Sequence, residues 1–138
     1  MCTVVKFNII LLLYQSFKKR NRDMTKTTSY VTDTFSKFVA DRTAKIKTSE
    51  DMYDEQSKLS KCNDGADPFS VLINNAAYAE ILYNYRLKNY EAAESANCSN
   101  LEIYESPLAD AQNQVLDFRD MLLDFCEGHG LDYEKVIE

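Results

Sequence analysis

The chain has 138 residues, with 22 Asp/Glu against 16 Lys/Arg and a formal net charge of −6. A hydrophobic share of 45% is that of a globular protein and excludes a disordered polyelectrolyte, while three Gly cannot build phosphate loops or dinucleotide fingerprints. Residues 24–88 balance nine basic against nine acidic side chains, whereas residues 89–138 set twelve acidic ones against Arg119 and Lys135 alone, a charge that repels nucleic acid and disfavours direct DNA or RNA binding.

Residues 1–23 differ from the rest. They are apolar and then basic, with five Lys/Arg against Asp23. A secretory signal places its charges before the apolar run and a small-residue cleavage site after it, and here the cluster Lys18, Lys19, Arg20, Arg22 follows the run Asn8–Tyr14. The run is also far short of the ~20 residues that cross a bilayer. An N-terminal arm belonging to the fold is a second reading. The favoured one takes Met24 as the natural start, so that 1–23 is an atypical extension and 24–138 a single acidic helical domain. The abundance of Asn, Lys, Tyr and Ile and the absence of Trp fit AT-rich codons, as in a bacteriophage or a low-GC bacterium.

From Met24 to Asp64 there is neither Gly nor Pro, which permits long helix. Val31, Phe35, Phe38, Val39 and Ile46 recur at three- and four-residue spacing and predict a helix over about 29–47. Thr48-Ser49-Glu50-Asp51 supplies a cap with acids in the first turn, predicting a second helix over about 49–61, with one bent helix as the alternative. Asn63-Asp64-Gly65 reads as a turn. Asp67-Pro68 starts a third helix, because Asp caps free N–H groups and Pro at the first position loses no bond. Phe69, Leu72, Ile73, Ala76, Ala77, Tyr83, Leu87 and Tyr90 carry it to about residue 95 with a wide apolar surface, marking it as central.

Residues 96–105 lose the helical period, and Leu101–Tyr104 reads as a short extended piece. Ser106-Pro107 repeats the start signal. Leu108, Ala111, Val115, Phe118, Leu122 and Phe125 then form an apolar seam, with Gly128 expected as the left-handed cap and a last turn capped at Asp132. The expected fold is all-α, a small bundle of three to four helices.

Several residue sets invite a chemical reading. Cys126 and His129 have a CxxH spacing that Cys62 and Cys98 would complete as a zinc site, but both of those are solitary, and small buried thiols with a lone surface His are favoured. No nucleophile has a defensible base, since His129 is the chain's one His. Free thiols, no cofactor, no metal and no enzyme activity are therefore expected.

Asp110, Asp117, Asp120, Asp124 and Glu127 form an acidic stripe beside the seam. It reads either as the wet side of an amphipathic helix or as a row of carboxylates presented to a DNA-binding protein. Tyr78, Tyr83, Tyr85 and Tyr90 cluster on two sides of the third helix around Arg86 and Lys88, and Tyr and Arg are residues that anchor interfaces.

These features predict a small cytoplasmic adaptor or inhibitor of the kind phages and mobile elements encode. Its partner would be another protein, a basic nucleic-acid-binding one by charge, with no membrane contact. Tyr83, Arg86 and Tyr90 are the expected anchors, and Asp117, Asp120 and Asp124 the electrostatic complement. The alternative is a self-assembling helical protein whose seam makes a homodimer or larger homo-oligomer.

Overall fold

The structure, a computed structural model, describes residues 29–138; the expectations placed on residues 1–23 lie outside them. The described chain is all-α. Its elements are α1 (Phe35–Lys45), α2 (Ser49–Asn63), α3 (Pro68–Ser95), α4 (Glu102–His129) and the single turn α5 (Tyr133–Val136). Helices α3 and α4 have 28 residues each, about 42 Å of helix. They form an antiparallel hairpin that is the most extensive contact in the fold. Helices α1 and α2 both pack on α3, and α5 packs on α4.

The caps follow the sequence closely. The Thr48 side chain accepts the Asp51 N–H while the Asp51 carboxylate accepts the Thr48 N–H, a full capping box that opens α2 as a helix separate from α1. Asp67 accepts the Ser70 N–H at 2.8 Å with Pro68 at the first position of α3. Gly65 takes a φ of 77° in the turn between α2 and α3, and Asp132 caps α5.

Three boundaries differ from the sequence expectation. Helix α1 starts at Phe35, not at residue 29. Tyr30 is drawn into the core, and Asp33 accepts the Thr34 N–H at 2.7 Å, which holds the preceding backbone out of the helix. The segment expected as extended, Leu101–Tyr104, leads instead into α4, which begins at Glu102 and contains Pro107. Proline is free of cost only in the first turn, and five residues precede Pro107 in this helix, so the Ile103 carbonyl lacks its usual donor. Glu102 and Glu105 favour the start at the positive helix end, and Arg86 of α3 donates to the Pro107 carbonyl at 2.8 Å, tying the two helices at that level.

The third difference is at the other end of α4. Gly130, with φ 70°, is the left-handed cap, and Gly128 lies inside the helix. The Leu131 N–H returns to the Cys126 carbonyl at 2.8 Å and Leu131 packs on the core, so the cap sits where an apolar residue follows it.

The core lies where α1, α2 and α5 close on the hairpin. Phe35, Phe38, Val39 and Ile46 meet Met52, Leu59, Ala76, Ala77, Ile81, Leu82, Ala111, Leu122 and Cys126. The seam of α4 turns toward the core, with Ala111 and Leu122 fully buried and Leu108, Val115, Phe118 and Phe125 half-buried; Cys126 beside it is fully buried too. Truncation of Leu122 to Ala should cost about 2–5 kcal/mol, because the α3–α4 contact cannot collapse into the space left. Pro107→Ala should raise stability by about 1 kcal/mol by restoring the bond to Ile103. Urea unfolding of the two variants checks both signs.

Candidate interaction surface

Burial of one side of α4 fixes what the other side presents. Asp110, Asp117, Asp120, Asp124 and Glu127 are all exposed. No ion pair among the described residues involves any of them. Leu116 and Met121, 55% and 50% exposed, lie to either side of Asp117, Asp120 and Asp124 around the helix. The acidic stripe is therefore on the solvent side, opposite the apolar seam, with two large apolar side chains at its edges.

The tyrosine cluster is placed differently. Tyr78, Tyr83 and Tyr85 are half-buried and pack against the core. Tyr90 is half-buried too, and the carboxylate of Glu94 beside its hydroxyl raises its pKa. Arg86 is engaged with the Pro107 carbonyl. The structure thus takes Tyr83 and Arg86 into the packing between helices, while Asp117, Asp120 and Asp124 stand free on α4.

The structure also reveals an ionic cluster that sequence periodicity did not flag. Glu55, only 4% exposed, accepts from the Tyr30 hydroxyl at 2.7 Å and pairs with Arg42 at 3.1 Å. Arg42 lies 5.4 Å from the Phe38 ring centroid, and Tyr30 meets the same ring edge-on at 5.0 Å. This cluster joins the segment before α1 to α1 and α2. A second pair, Glu80 with Arg119, joins α3 to α4. The signal for Glu55 was available: it lies three residues after Met52 and four before Leu59, on the buried stripe of α2.

The thiols and the histidine do not converge. Cys126 is fully buried, and His129 stacks on Phe125 at 4.2 Å, which in turn stacks on Phe69 at 5.2 Å. No three His, Cys, Asp or Glu side chains among the described residues are placed to hold a metal ion, and no described helix is long and apolar enough to cross a membrane. Compared with known proteins, the chain matches no family model, no curated protein and no solved structure.

Burial, together with the Glu55 carboxylate, raises the Tyr30 pKa above its ordinary value, and burial pushes the Cys126 thiol up to about 11 from 9.0. Both groups stay neutral in the folded protein at a pH where the unfolded chain has begun to ionise. Their contribution to stability is complete below pH 9 and falls as pH rises from there through the folded value. Denaturant midpoints across pH 7–11 should therefore be flat and then decline, with a shallower decline in Cys126→Ala.

Removing one member of the Glu55 cluster strands the others. Arg42→Met leaves a buried carboxylate with weaker compensation and should cost about 3 kcal/mol, whereas the double variant Arg42→Met, Glu55→Leu should recover much of that loss. A double-mutant cycle in urea measures both.

Proposed function

We propose that this protein acts by binding another protein, as a small adaptor or inhibitor, and that the outward face of α4 meets a basic surface on the partner. The observation that carries this reading is the exposed set Asp110, Asp117, Asp120, Asp124 and Glu127, held on a rigid helix with no described counter-charge. A fixed row of like charges costs self-repulsion in the free protein, and a cationic partner relieves it. Leu116 and Met121 at its edges add apolar area that such a contact buries.

A basic nucleic-acid-binding protein fits this chemistry, although α4 alone is not a replica of a duplex. Seven helical residues advance about 10.5 Å, whereas duplex DNA carries one charge per about 1.7 Å of axis. The face therefore complements a basic patch as an acidic helix does, and phosphate-like density would require acids from elsewhere. The self-assembly reading draws on the same Leu116 and Met121, but a symmetric contact of α4 with α4 brings the carboxylates of both copies together.

Charge reversal tests the proposal. The triple variant Asp117→Lys, Asp120→Lys, Asp124→Lys alters exposed positions only, so its circular dichroism should match the parent. Its association rate with a partner recovered from nuclease-treated lysate should fall about ten-fold or more at low salt, and the salt dependence of that rate should weaken. An association rate unchanged by the three reversals would refute α4 as the contact, and concentration-dependent mass without a partner would move the reading to self-assembly.

A further inference from the structure

The first turn of α1 is completed by the other end of the chain. Thr34 precedes the helix without a side-chain cap bond. The Ser36 N–H donates instead to the Glu138 carbonyl at 3.0 Å, and the Ser36 hydroxyl donates to the Ile137 carbonyl at 3.0 Å, across 101 residues of sequence. Helix N-termini leave their first N–H groups without intrahelical acceptors, so the Glu138 carbonyl does the work of a cap for one of them, and the Ile137 carbonyl adds a bond to the Ser36 side chain.

Residues 131–138 that deliver them are weakly self-supporting. Helix α5 has four residues, none of them buried, and one turn does not hold itself in water. Leu131, Tyr133, Val136 and Ile137 are half-buried against the core, and Tyr133 sits beside the Arg119 guanidinium that pairs with Glu80. The segment thus lacks any fully buried anchor, yet it is joined to a helix whose Phe35, Phe38 and Val39 are all buried.

We propose that residues 131–138 are a releasable strap: it pins the first turn of α1, and the strap and that turn open together while the α3–α4 hairpin stays formed. The unit that opens comprises the two ends of the described chain, and its hinge is Gly130, the left-handed residue between α4 and the strap. Cys126 reports on the same event. Its thiol is fully buried, and its carbonyl holds the Leu131 N–H at the base of the strap.

Native-state hydrogen exchange on the full chain at neutral pH and low denaturant tests this. The Ser36 amide is the sharpest probe, because its acceptor is the Glu138 carbonyl. The expected result is that Ser36, Leu131, Val136 and Ile137 share one opening, at least about ten-fold more frequent than that of Ala77 and Leu82 in α3. Ser36→Ala removes the hydroxyl bond to Ile137 and should speed exchange at both ends about five-fold, as loss of one net hydrogen bond does, with α3 unchanged. Alkylation of Cys126, located by peptide mass mapping, should accelerate in parallel.

Either of two outcomes overturns the strap. One is exchange of all these amides through the same global opening as α3. The other is acceleration of the α1 turn by Ser36→Ala with no response in Leu131, Val136 and Ile137. Tyr133→Phe, which keeps the ring on the core, supplies a second variant that should speed the strap amides and the Ser36 amide together.

Discussion

Helix α3 is the element the others pack around, and between Phe69 and Leu87 it carries no exposed residue. A helix with no exposed residue over that length relies on neighbours on most of its sides. The hairpin partner α4 covers it along its length, and α1 and α2 close the part that α4 leaves open. The small side chains Ala76, Ala77 and Ala79 permit the close approach that this wrapping needs. The remaining features follow from it: α4 is left with one dry side and one wet side, and the wet side collects the acids.

Most polar side chains that enter this packing among the described residues do so in paired form. Asn74, 3% exposed, donates to Asn63, whose own amide donates to Asn75, each at 3.0 Å. Asn84 reaches the Thr43 hydroxyl at 3.3 Å, and Glu55 has Tyr30 and Arg42. Each of these contacts joins two elements, and each breaks if one helix slides along the other. They carry less net energy than the apolar core and more geometric information, since a buried polar group off register is costly.

Much of this was legible in the sequence. Asp67-Pro68 and Thr48 through Asp51 mark helix starts because their chemistry is local and acts within four residues. The α4 seam was legible because its period is long and unbroken. Pro107 misled because it has the same local chemistry as Pro68, and only the contact of Arg86 and the pairing of α4 with α3 carry the helix through it. Gly128 and Gly130 cannot be told apart locally. Leu131, packing from beyond the cap, chooses between them. The period of α2 marks Glu55 as inward-facing, but its partner Tyr30 lies 25 residues away, and periodicity holds no information on pairing at that range. The acidic stripe was legible as a stripe. That it would stand alone, with Tyr83 and Arg86 absorbed elsewhere, depended on how α3 is rotated against its neighbours.

The bond from Ser36 to Glu138 has a bearing on synthesis. A ribosome releases α1 early, and most of its apolar stripe can find α2 and α3 as they emerge. The first turn cannot be finished until the last residue described here has left the exit tunnel, because the acceptor for Ser36 lies there. The junction between the first turn of α1 and residues 137–138 thus closes only after both helices of the hairpin have been made. A ribosome paused between His129 and Glu138 would hold the two hairpin helices without the acceptor for the Ser36 N–H.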